Sequence, residues 1–218
     1  KVALITGGSR GIGRSTALAF ADAGADVVIA ARKLPDLEAV AAEIKQMGRK
    51  ALVVETHAKK SEDLKNLVDE TMAEFGRIDI LVNNAATNPA MSSVLDTDEE
   101  VFSHIIDTNL KGYFMLSKLV GKIMVEQKSG NIINISSSGG VSPVEGVGPY
   151  CISKAGINML TKQMALELGP YNIRVNAIAP RIVTTKFSEA FWKNEKLMER
   201  EYKMVPLKVV ASPEEIAQ

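Results

Sequence analysis

Six short apolar runs, each followed by a turn and most then by a helical pattern, constrain this chain more than any other feature. They fall at residues 2–6, 26–31, 51–55, 78–82, 131–136 and 173–178. Helical spacing fills the intervals at 14–23, 34–47, 64–75 and 150–168, and 99–127 reads as two helices broken near Gly112. A strand joined to its neighbour by a crossover helix returns to the same end of the sheet, so such strands run parallel. Runs that are apolar at nearly every position, rather than at alternate ones, predict strands covered on both faces. The expected fold class is therefore α/β: a doubly wound parallel sheet with helices on both faces. At 218 residues the chain suffices for one such domain. No linker, low-complexity tract or short repeat divides it, so residues 1–218 are expected to form one domain.

Open parallel sheets place their ligands beyond the C-terminal ends of the strands. The first such end carries Gly7, Gly11 and Gly13, between a strand and a helix. Glycines let a backbone approach a pyrophosphate, and the helix N-terminus adds N–H groups and a positive dipole end. A lone glycine pattern often marks only a tight turn; the flanking strand and helix favour a dinucleotide cradle. About 20 residues beyond such a turn, an Asp or Glu selects NAD by binding the ribose 2′-hydroxyl. Here the second strand ends Ala30-Ala31-Arg32, and the next acid, Asp36, lies beyond Pro35. Arg32 offers a planar fork for phosphate oxygens, and Arg10 sits inside the glycine turn. The expectation is NADP, bound as NADPH, in preference to NAD.

After the fifth run come Ser137, Tyr150 and Lys154. Four residues apart on a helix, Tyr150 and Lys154 share a face. A nearby ammonium favours the phenolate, so Lys154 is expected to lower the phenol's pKa from its ordinary value near ~10. Alone, this spacing is weak. Asn109 stands in a helical stretch where its propensity is poor, which suggests a role. Residues 186–205 carry Phe187, Phe191, Trp192, Leu197, Met198, Tyr202 and Met204 at rough helical spacing. Such a stripe packs a core or forms a helical lid over a substrate.

Composition excludes several classes. Lys+Arg and Asp+Glu are both 26, so no basic footprint for nucleic acid exists. No apolar run is long enough to span a membrane, and no metal site is indicated. A single cysteine, Cys151, excludes an internal disulfide and fits a reducing, cytoplasmic setting. A peroxisomal one is the alternative if the source is eukaryotic.

Together, TGGSRGIG at 6–13, NNAA at 83–86, Asn109, Ser137, YCISK at 150–154 and NAIAP at 176–180 resemble the short-chain dehydrogenase/reductase family across essentially the whole chain. NNAATNP with DTDEEVF, THAKKSED and TKFSEAFW resemble its NADP(H)-dependent retinol dehydrogenase/carbonyl reductase branch. The resemblance implies a Rossmann-like fold, a small carbonyl or alcohol substrate and a homotetramer for the full-length protein. It implies a catalytic set of Asn109, Ser137, Tyr150 and Lys154. Tyr150 exchanges the proton, Lys154 tunes it and binds the ribose, Ser137 holds the substrate oxygen, and Asn109 positions a water that relays protons to Lys154. It implies cofactor contacts from Gly7, Ser9, Arg10, Gly11, Ile12, Gly13, Arg32, His57, Asn83, Ala85, Pro180, Val183 and Thr185, besides Tyr150 and Lys154. Asn83 and Ala85 would lie along the adenosine.

Three departures stand out. His57 replaces the Asp usual at the end of the third strand. Arg181 replaces the Gly usual after NAIAP; its side chain is expected to point away from the nicotinamide and to be dispensable. A seventh strand, usual in the family, lies outside this sequence. The competing functions are a 3-oxoacyl-thioester reductase, a sugar alcohol dehydrogenase and, in another class, a non-catalytic NADP-binding regulator.

Overall fold

The computed structural model describes residues 1–89 and 91–218. Six parallel strands form one sheet: β1 (Val2–Thr6), β2 (Asp26–Ala31), β3 (Ala51–Glu55), β4 (Ile80–Asn83), β5 (Gly130–Ile135) and β6 (Ile173–Ile178), in the order β3-β2-β1-β4-β5-β6. Leu4 aligns with Val28 on one side and Leu81 on the other, and Val82 aligns with Ile133.

Side chains alternate between the two faces of a strand, and the core divides accordingly. Leu4, Val28, Leu81 and Ile132 face α3 (Ser61–Phe75) and α5 (Gly112–Gln127), meeting Leu64, Leu67, Leu116 and Val120. Ile5, Ile29 and Val82 face α1 (Gly11–Asp22) and α2 (Leu34–Gln46), meeting Ala17, Leu37 and Ile44. Both faces are covered over β1, β2 and β4, as their unbroken apolar runs require, while β6 at the edge leaves Arg174 and Asn176 exposed.

Several boundaries move for local reasons. β4 starts at Ile80 because Ile78 is held elsewhere: its N–H donates to Gln127 Oε1 (3.1 Å) and its carbonyl accepts from Gln127 Nε2 (2.8 Å). α3 starts three residues early, with Glu62 and Asp63 favouring its N-terminus. α6 (Gly148–Leu168) starts with Pro149 in its first turn, where no N–H is missed. The stretch expected to break near Gly112 does so as a π turn, Asp107–Lys111, between α4 (Glu99–Ile106) and α5. Beyond β6 lie α7 (Glu189–Trp192), α8 (Glu195–Met204) and α9 (Pro213–Ala217). Among the described residues no helix is long and apolar enough to cross a membrane.

Candidate active site

A cleft of about 1310 Å³ runs along the C-terminal ends of the strands. The order of strands reverses between β1 and β4, and the two loops that leave them diverge there, as ligand crevices in such sheets do.

One half is built on the glycine turn. Gly7 has φ +67°, and a Cβ on Gly13 would stand 2.2 Å from the Gly7 carbonyl oxygen. Gly13 therefore lets α1 pack onto the turn rather than lining the cleft itself. Asn84 Nδ2 pins the turn by donating to the carbonyls of Thr6 (2.8 Å) and Gly7 (3.2 Å). Thr6 Oγ1 accepts from the N–H groups of Asn84 (3.0 Å) and Ala85 (3.1 Å) in return. The N-cap residue of α1, Arg10, gives it no side-chain cap, and Ser9, Arg10, Gly11 and Ile12 line the cleft beside it. Arg10 and Arg32 are exposed at its edge. His57 closes the far end. Its Nδ1 is buried without a partner, and burial, then Lys59, Arg32 and Lys60, lower its pKa, which keeps the ring neutral and able to accept.

The expectation for Asn83 is corrected at the side chain. Strand alternation turns it away from the cleft and into the core, where Nδ2 donates to Ser117 Oγ and Asn134 Oδ1, both at 2.8 Å. Asn84 and Thr6, which sequence reasoning missed as site residues, line the cleft there and pin the glycine turn. A side chain one position past the end of a strand is freed from that alternation, which was the available signal.

The other half holds the titratable groups. Ser137 follows β5, and its Oγ accepts from Gly139 N–H (3.1 Å). Tyr150 stands in the first turn of α6, and Lys154 one turn on, on the same face. Lys154 is 1% exposed, and its Nζ donates to the Ile135 carbonyl (2.7 Å). That carbonyl also accepts from Tyr113 Oη (3.3 Å). The ammonium lies 5.3 Å from the Tyr113 ring centroid and 5.5 Å from that of Tyr150. Tyr113 was not singled out from the sequence, because a Tyr in a helical apolar pattern reads as core. Ser136, 3% exposed, locks β5 to α6 through Asn158 Oδ1 (2.6 Å).

Burial sets both pKa values. It pushes the Tyr150 phenol up to about 12, with Ser137 pulling weakly the other way. It pushes the Lys154 amine down to about 7. The expectation that Lys154 lowers the phenol is thus corrected for the protein alone. Both groups share one dry site, and desolvation disfavours the charged form of each.

Asn109, in the π turn, is fully buried. Its Oδ1 accepts from Thr87 N–H (2.8 Å), and its Nδ2 donates to the Thr87 carbonyl (3.0 Å) and to Ser153 Oγ (3.1 Å). The carboxamide therefore clamps the loop after β4 to α6 and does not itself face Lys154.

Val141, Val144, Val147, Phe187, Phe191 and Leu197 make the wall around Tyr150 apolar, and the Phe187 ring lies 6.0 Å from the Tyr150 ring. Pro180, Val183 and Thr185 line the cleft between its halves, with the Thr185 carbonyl accepting from Trp192 Nε1 (2.8 Å). Arg181 has a partner: its Nε and Nη2 both donate to the Glu201 carboxylate. Among the described residues no cluster of three or more metal-ligating side chains occurs.

A parallel sheet with a glycine cradle at its crevice, and beside it a half-buried Tyr150 paired with a buried Lys154, defines a dinucleotide-dependent oxidoreductase. Residues 1–196 match the short chain dehydrogenase family; the chain belongs to it and acts on CH–OH donors or the matching carbonyls. It is 36% identical to dehydrogenase/reductase SDR family member 4 of Oryctolagus cuniculus, over 100% of this chain and 84% of that one. It is 38% identical to a 3-oxoacyl-[acyl-carrier-protein] reductase of Synechocystis sp., over 100% and 86%. A 7 alpha-hydroxysteroid dehydrogenase complexed with NADH and 7-oxo glycochenodeoxycholic acid superposes with a TM-score of 0.94 at 31% identity, covering 100% and 84%.

Proposed function

We propose that this protein is an NADPH-preferring carbonyl reductase, able to run as an alcohol dehydrogenase in reverse. The observation that carries the proposal is the half-buried Tyr150 beside the buried Lys154 at the junction of a dinucleotide cradle and an apolar wall. A nicotinamide dinucleotide, when bound, supplies or takes the hydride. The N-terminus of α1 and Arg10 suit its phosphates, and Arg32 suits a 2′-phosphate.

Tyr150 Oη, held protonated by burial, donates its proton to the carbonyl oxygen as negative charge grows there. Ser137 Oγ–H steadies the same oxygen. Lys154 Nζ, poised near neutrality, restores the proton to Tyr150. A water relay through Asn109 would use its main-chain carbonyl, since the carboxamide is engaged. The apolar wall excludes water and favours ketones or aldehydes with a hydrophobic body, and residues 186–205 act as its lid.

Consumption of NADPH, and separately NADH, with a panel of ketones, aldehydes and retinal tests the proposal. The expected result is turnover of several apolar carbonyls with NADPH favoured. Equal efficiency with both cofactors would reject the arginine argument; no turnover with any carbonyl would reject the reaction. The Synechocystis relative supports a second reading, reduction of a 3-oxoacyl thioester, and a short 3-oxoacyl thioester in the same panel separates the two.

A further inference from the structure

The helix that overhangs the carbonyl half of the cleft is weakly anchored. Of the ten residues of α8, only Met198 and Glu201 are buried on its inner face. These lie three apart, on one side of the helix. A segment with so few buried apolar contacts opens at low cost unless something else holds it. Here that something is polar. Glu201 is 9% exposed, and both of its carboxylate oxygens are taken by Arg181, with Nη2 to Oε2 at 2.9 Å. Fork-to-fork pairs of this kind are directional as well as strong. Arg181 Nη2 also reaches Met204 Sδ (3.8 Å), at the end of the same helix. On its own side Arg181 follows Pro180, whose carbonyl accepts from the Ser138 N–H (2.9 Å), next to Ser137. The pair thus ties α8 to the loop that borders the reacting groups.

We propose that Arg181 and Glu201 form a latch that sets the closed position of α8. Arg181 is then a positioning residue: it acts through Leu197 and Met204, which α8 contributes to the wall of the cleft. This rests on the reading of the cleft as a carbonyl-binding site, and it reverses the expectation that Arg181 is dispensable. Removing Arg181 leaves a buried carboxylate with no partner, which drives α8 outward into water.

Hydrogen exchange of the intact protein tests the latch without any substrate. In Arg181→Gly and in Glu201→Gln, the backbone amides of 195–204 should exchange about ten- to hundredfold faster, the effect of losing a charge-assisted hydrogen bond. Exchange in β1, β4 and β5 should not change, which shows the fold intact. The double variant should exchange no faster than Arg181→Gly alone. Arg181→Lys, which keeps the charge but not the fork, should fall between. The positioning role is read from kinetics with NADPH: KM for the carbonyl should rise about tenfold or more with kcat and KM for NADPH nearly unchanged. Wild-type exchange in α8 of either single variant, or additive effects in the double, overturns the latch. Faster exchange without a change in carbonyl KM overturns the positioning role. If no carbonyl is turned over at all, the reaction assigned above fails, and with it the positioning role; the exchange measurement still decides the latch.

Discussion

Replacing Lys154 with Met should make the protein more stable, by an amount that shrinks as the pH rises. The amine is 1% exposed and its pKa falls from its ordinary 10.5 to about 7, through burial. At about 1.36 kcal/mol per pH unit, that drop corresponds to roughly 5 kcal/mol held against folding. The sign follows from proton counting. Below pH 7 the amine is protonated whether folded or unfolded, so the full cost of a buried ammonium is borne. Between pH 7 and 10.5 the folded amine is neutral while the unfolded one keeps its proton, so stability climbs with pH and the cost fades. Met fills similar space without charge, but leaves the Ile135 carbonyl with only the longer bond from Tyr113 (3.3 Å), a loss of about 1 kcal/mol. The net gain is then about 3–4 kcal/mol at pH 6, most of which is lost by pH 9. The Tyr150 phenol, raised to about 12, binds its proton in both states across this range and adds no slope. Urea unfolding of both proteins at pH 6, 7.5 and 9 measures the gap. A gap that does not change with pH, or a Met variant less stable at pH 6, would refute the account of Lys154.

Other outcomes follow from the same geometry. Tyr150→Phe keeps the ring against Phe187 but removes the proton, so turnover should fall by about 10²–10⁴ with NADPH binding retained; near-normal turnover, measured by NADPH consumption, excludes the phenol as acid. Ala31→Asp with Arg32→Ser should reverse the cofactor preference, because a carboxylate repels a 2′-phosphate and accepts from a 2′-hydroxyl; the ratio of kcat/KM for NADPH and NADH reads it. Asp79→Ala should cost about 1–3 kcal/mol in urea unfolding, because it strands the buried Val2 N–H that now donates to Asp79 Oδ2 at 2.7 Å.

Much of this molecule is legible one residue at a time. Bounds for β1, β2, β3 and β6 follow from runs rich in apolar and β-branched residues bounded by turns; β1 and β2, buried on both faces, leave no room for polar interruption, whereas β6 carries Arg174 and Asn176 at exposed positions. The glycine turn is legible because the requirement is steric: no other residue fits at Gly13. Asn109 is visible as an anomaly of propensity, but not what its carboxamide holds, since Thr87 and Ser153 lie 22 and 44 residues away in sequence. The same distance problem hides the Glu201 partner of Arg181, 20 residues on, and the shared Ile135 carbonyl between Tyr113 and Lys154. The pKa of Tyr150 was misjudged for a related reason. Spacing shows that a cation is near, whereas burial depends on everything else that surrounds the pair.

The π turn at Asp107–Lys111 carries one residue more than a regular helix would. It separates two helices whose inward faces are set by Ile105 on one side and Tyr113, Leu116 and Val120 on the other. Each residue advances a helix by about 100°. The π turn winds fewer degrees per residue and so absorbs that extra rotation of about 100° locally, leaving Ile105 and Tyr113 on the inward faces that a straight helix one residue shorter would give them. What the extra residue adds is the position of Asn109, which is fully buried in the turn with its carboxamide on Thr87 and Ser153, so a one-residue deletion would keep the helices in phase and lose the clamp. Libraries that vary this enzyme should keep the length of this turn together with Asn109 and Gly112, where an added Cβ would meet the Ala58 carbonyl oxygen at 2.5 Å, and spend their diversity on the exposed positions around them.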